Sequence, residues 1–161
     1  MSVDDRIDKP ELPEEDGARA DCYALISRLF YAPSDVEFLK RLAGVPLFAE
    51  DASGLQLQGD DEVPQTGAYA SALRDLQSAC RAIDAQALRQ EYDDLFVGAG
   101  KALVTPYTSG YAVPQAPDRH LLALRDHLVA WGLARRDAVF EIEDHVSAVC
   151  DVMRWLIERE R

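Results

Sequence analysis

The chain has 161 residues, 48% of them hydrophobic, and carries 29 acidic against 17 basic side chains for a formal charge of −12. That length fits one domain with one core, and the apolar content excludes a disordered polymer. The charge excludes nucleic acid as a natural partner and leaves two readings open: an acidic surface that attracts a cationic peptide, or one that only keeps the protein soluble.

Residues 1–17 are rich in acids and contain two prolines, which predicts a disordered or loosely attached tail ahead of a helical domain over residues 18–161. This beginning lacks the apolar segment of a secretory signal, and no run approaches the roughly 20 apolar residues of a membrane span. A soluble cytoplasmic protein is therefore expected. Cys22, Leu25, Ile26, Leu29 and Phe30 recur at spacings of three and four and predict a first helix, stopped by Pro33. Ser34 and Asp35 suit the cap of a second, with Val36, Leu39 and Leu42 on its inner side. Pro46 to Gly67 has poor periodicity and reads as a long loop.

Leu73, Leu76, Cys80 and Ile83 predict a third helix. Asp84 suits the cap of a fourth, with Leu88, Tyr92, Leu95 and Phe96 facing inward and Gly98 and Gly100 ending it. Residues 98–117 read as a turn-rich segment. Asp118 suits the start of a fifth helix striped by Leu121, Leu124, Leu128 and Trp131 and closed by Gly132. Val146, Val149, Cys150, Met153, Leu156 and Ile157 predict a sixth. No period-2 strand and no repeat is found. The fold expected is an all-α, single-domain bundle of about six or more helices.

The three cysteines, Cys22, Cys80 and Cys150, are odd in number and far apart, which suggests neither a disulfide framework nor a zinc knuckle. Cys80 and Cys150 fall on apolar stripes, as small core residues do.

The informative stretch is residues 91–111, EYDDLFVGAGKALVTPYTSGY. Tyr92, Leu95 and Phe96 lie three and four apart on the last turns of a helix, so their side chains share a face. Glycines allow a sharp turn, and Pro106 pushes Thr105 out of helical geometry. Tyr107 and Tyr111 add amphipathic rings, with Ser109 between them. A helix end followed by a stiff aromatic loop can make an apolar groove edged with hydroxyls, suited to a peptide. Ordinary core packing of the same rings is the competing reading.

In the order Glu91, Tyr92, Leu95, Phe96, Gly98, Pro106, Tyr107, Ser109 and Tyr111, this stretch resembles a motif of the TorD/DmsD/NarJ family of molybdoenzyme maturation chaperones. A second stretch, FEIEDHVSAVCDVM, resembles that family's acidic segment leading into Asp-His, through Glu141, Asp144 and His145. Three positions depart from the pattern: Tyr107 stands where tryptophan is common, and Ala99 and Ile142 where prolines are. Family members usually continue for several helices beyond Asp-His, whereas this sequence has one. The alternatives are a short variant, a fragment, or a fold completed by another subunit as in a domain-swapped homodimer.

The resemblance implies a non-catalytic chaperone that binds the N-terminal or twin-arginine leader region of the apo catalytic subunit of a molybdoenzyme, assists cofactor insertion and delays export. It implies Tyr92, Leu95, Phe96, Pro106, Tyr107, Ser109, Tyr111, Glu141, Asp144 and His145 as peptide-binding residues. Carboxylates such as Glu141, Glu143 and Asp144 could pair with arginine, and the groove could take an apolar stretch.

Two other classes compete. One is a general helical interaction module with an unrelated partner. The other is a small hydrolase or metal enzyme built on histidine and carboxylate. Neighbours such as Asp144 and His145 point about 100° apart on a helix, however, and make no direct dyad. His120 and His127 lie seven apart, where metal-binding helices favour three or four. The string GAGK at residues 98–101 fails as a phosphate loop, with Leu95 in place of the first glycine and Ala102 after the lysine. No catalytic residue, metal or cofactor is assigned.

Overall fold

A computed structural model of the chain describes residues 13–33, 35–45, 65–98 and 102–159. Its regular structure is seven α-helices and one π-helical turn, with no strand among the described residues. The fold is all-α, as the periodicities predict. The helices fall into two compact units, one formed by Met1–Pro33 with Asp93–Arg161 and the other by Ser34–Tyr92.

In the first unit, α1 (Glu14–Tyr31) opens on Glu14, Glu15 and Asp16, which favour the positive end of the helix dipole, and closes on Arg28. It begins within the stretch read as a tail; residues 1–12 lie outside the described residues. Ala20 is its buried residue, and its main partner in the unit is α7 (Val146–Arg159). Along α7, Ser147, Cys150 and Ile157 are buried.

The short helix α5 (Ser109–Ala112) stands inside the segment read as turns and packs on α6 (Pro117–Ala130). Helix α6 starts one residue before Asp118, because Pro117 fits the first helical position, where its missing N–H would lack a partner anyway. Gly132, with φ 74°, ends it. Leu133 N donates to Leu128 O (2.8 Å) and Gly132 N to Val129 O (3.0 Å), a Schellman closure that uses up two orphan carbonyls.

In the second unit, α2 (Val36–Gly44) is capped by Asp35, whose Oδ1 accepts from Phe38 N at 3.1 Å. Ser34 lies outside the described residues. Helix α3 (Gln65–Arg81) begins inside the stretch read as loop and ends before Ile83; residues 46–64 lie outside the described residues. The two helices pack with Leu39, Gln77 and Cys80 buried. Gln77 Nε2 donates to Leu42 O (3.0 Å) and Val45 O (2.6 Å) and so satisfies the end of α2. Helix α4 (Ala85–Tyr92) is capped as expected by Asp84, whose Oδ1 accepts from Ala87 N at 2.7 Å. Cys80 and Cys150 are buried as expected, and burial pushes both thiols up, away from reactivity.

Candidate functional site

The two motifs meet. Thr108 N donates to Asp144 O (2.9 Å) and Val146 N to Pro106 O (2.8 Å), so Tyr107 and His145 form a single antiparallel bridge. Pro106 has no N–H to offer, yet its carbonyl serves. Paired residues project to the same side of such a bridge. Accordingly the Tyr107 and His145 rings meet edge to face, 5.2 Å between centroids and 75° between planes. The phenol of Tyr107 then donates to Glu141 Oε2 at 2.8 Å across 34 residues. No cation pairs with Glu141 among the described residues.

Asp144 and His145 lie beneath this contact. Asp144 has no exposed surface and His145 only 2%. Asp144 Oδ2 accepts from Ser109 N (3.2 Å), and Oδ1 is buried with no hydrogen-bond partner in the structure. His145 sits at the N-cap of α7. Its Nδ1 accepts from Ser147 N (3.2 Å) and lies 2.7 Å from Ser147 Oγ, so that nitrogen carries no proton in this geometry. Burial pulls the imidazole pKa below its ordinary value, against the charges of Glu141 and Asp144, which raise it. His145 thus bonds to Ser147 and Asp144 to Ser109, and Ser147 is itself buried.

Three further contacts shape the loop. Tyr111 OH donates to Thr105 O (3.0 Å), Thr108 Oγ1 lies 3.0 Å from His120 Nε2, and Val104 N donates to Leu95 O (2.9 Å). A Cβ on Gly110 would stand 2.8 Å from Thr105 Cγ2, so the close return of the loop requires a glycine there. On the other segment, Glu143 Oε2 accepts from Arg125 Nη2 (2.8 Å) and Nε (3.1 Å), and its Oε1 lies 3.6 Å from Arg135 Nε. Burial raises the Glu143 pKa, but its hydrogen bonds and the two guanidinium charges outweigh that and hold it below the ordinary value.

Pro106, Tyr107, Ser109, Glu141, Asp144 and His145 are therefore one connected set, with Tyr111 joined through Thr105. The expected shared α-helical face of Tyr92, Leu95 and Phe96 needs correction. After Tyr92 the hydrogen bonding changes to a π turn, Asp93–Val97, closed by Gly98 N to Asp93 O at 2.7 Å. The five-residue step rotates the side chains away from α-helical register. Leu95 leads through its carbonyl to Val104, Phe96 meets Phe30 of α1 edge to face at 5.6 Å, and Tyr92 belongs to the other unit. Of the three carboxylates read as partners for arginine, Asp144 is enclosed, Glu143 is occupied and Glu141 is half-buried. Sequence reasoning missed Thr108, Ser147, Arg125 and Arg135. Only Ser147 had a local signal, a hydroxyl two residues after a helix-capping side chain. His127 stacks on Trp131 at 5.7 Å. Ala99, Gly100 and Lys101 of the GAGK string lie outside the described residues.

Residues 64–161 match the family described as nitrate reductase delta subunit. No curated protein and no solved structure matches the chain.

Proposed function

Since the chain belongs to the nitrate reductase delta subunit family, a NarJ/TorD-type family of molybdoenzyme maturation chaperones, we propose that it binds the N-terminal or twin-arginine leader segment of an apo molybdoenzyme catalytic subunit. It acts in the cytoplasm, without catalysis, holding the subunit ready for cofactor insertion and delaying its export. The carrying observation is the union of the two motifs through the Tyr107–His145 bridge and the Tyr107–Glu141 hydrogen bond. That union puts a carboxylate that pairs with no cation among the described residues beside a ring-lined loop. A leader offers guanidinium groups followed by an apolar stretch, which matches a carboxylate followed by rings.

In this reading Glu141 meets the guanidinium. Pro106, Tyr107, Ser109 and Tyr111, with Leu95 and Phe96 of the same unit, form the apolar and hydroxyl lining. Asp144 and His145 act as positioning residues that hold the loop from below. Consistent with binding a client's leader instead of inserting itself, no helix among the described residues is long and apolar enough to cross a membrane.

Titration of the full chain with a synthetic peptide carrying two arginines and an apolar run tests this. Replacing both arginines by glutamine should weaken binding about tenfold or more, since one hydrogen bond to a charged group contributes roughly 1.5–3 kcal/mol. Glu141→Gln in the chaperone should reproduce much of that loss. Equal binding of both peptides overturns the arginine assignment.

A further inference from the structure

Phe140 stands immediately before Glu141 and is 94% exposed. A lone exposed apolar side chain is ordinary, but this one is held out by a braced loop. On its N-terminal side Val139 N donates to Arg136 O (3.0 Å), and Arg135 Nη1 donates to Val139 O. On its C-terminal side Glu141 is tied to Tyr107, Glu143 is gripped by Arg125 and Arg135, and His145 N donates to Ile142 O (3.1 Å). The backbone is fixed on both sides of a ring that touches almost nothing. Nor is Phe140 alone. Ile142 follows Glu141, and Val104 and Tyr111 flank Tyr107 in the chain; all three are exposed. Exposed apolar residues therefore flank both partners of the Tyr107–Glu141 hydrogen bond along the chain.

Building on the leader-binding reading, we infer that Phe140 is the apolar anchor of that site and takes the hydrophobic stretch that follows the client's arginines. Charge selects this occupant. Among the described residues Glu141, the chain neighbour of Phe140, pairs with no cation, and the whole chain carries −12. A segment with a cation next to large apolar side chains fills both features at once, whereas a purely apolar partner leaves Glu141 desolvated and unpaired. The braced loop loses little freedom on binding, which is how a pre-formed aromatic contributes more than its area suggests. Arg125 and Arg135 are the braces: both grip Glu143, three residues after the ring, and Arg135 also donates to Val139 O just before it.

The experiment uses the full chain and the same arginine-plus-apolar peptide. Phe140→Ala should weaken binding about tenfold, as truncation of an aromatic hot spot does. Phe140→Trp should stay within about threefold, and Val129→Ala, an exposed apolar residue on α6, should change nothing. A peptide whose apolar run is replaced by serine and glycine should become insensitive to Phe140→Ala, an effect that a merely structural role would not give. If wild type binds and Phe140→Ala binds equally well, the anchor is wrong while the leader-binding reading stands. If wild type binds neither peptide, the leader-binding reading falls and the anchor with it. If Phe140→Ala converts a dimer to a monomer at unchanged peptide affinity, the ring contacts a second copy of the chain, and the inference is overturned.

Discussion

His145 is the residue on which the site's geometry turns. It caps α7, meets the Tyr107 ring and contributes backbone to the bridge, all while nearly inaccessible to water. Protonating it would place a hydrogen on Nδ1, against the N–H of Ser147 and at the positive end of α7. Its pKa is lowered on folding, chiefly by burial. Between that lowered value and the ordinary value of about 6.5 the unfolded chain binds the proton and the folded chain does not. Stability should accordingly fall as pH drops below about 6.5 and level off once the folded-state pKa is passed. Denaturant melts at a series of pH values check this. His145→Asn keeps a capping side chain and should remove that part of the slope; an unchanged slope would assign it to other groups. Asp-His was visible in the sequence, but its manner of action was not, because the Ser109 N–H that meets Asp144 lies 35 residues away in the chain.

Among the elements, the signals that were legible are those whose chemistry is local. Asp35 and Asp84 announce their helices because a carboxylate can reach a backbone N–H three residues on, and both do so. Gly132 announces the end of α6 because its φ of 74° is strained for any side chain. Nothing stands within 4 Å of a Cβ placed there, so Gly132→Ala isolates the backbone effect. It should lower stability by about 1 kcal/mol, while Gly132→Asn, tolerant of that region, should cost less. Thermal melts of the two variants decide it, and equal losses would point to something other than conformation. The π turn at Asp93–Val97 was not legible, since an α and a π turn draw on the same residues and differ only in which carbonyl is bonded. Nor was the role of Gln77 legible, because the carbonyls of Leu42 and Val45 that it bonds lie more than 30 residues away in the chain.

For the whole molecule, the sequence left open whether the −12 charge draws in a partner or only keeps the chain in solution. The two separate on kinetics. If the charge steers a cationic leader, its association rate should fall steeply as salt rises from about 0.1 to about 1 M, where the screening length shrinks from about 10 to about 3 Å. Dissociation should change far less. Stopped-flow measurement settles it, and a flat association rate would leave the charge with solubility alone. The pairing of α1 with α7 was also beyond the sequence: amphipathic stripes show which face is inward but not which helix covers it.

The Tyr107–His145 bridge is a single rung joining segments far apart in the chain. A lone rung cannot hold two strands together unless the helices behind each are already docked. On the proposed reading, the leader site therefore depends on those helices being packed, and a substitution that loosens them removes the site without touching any residue in it.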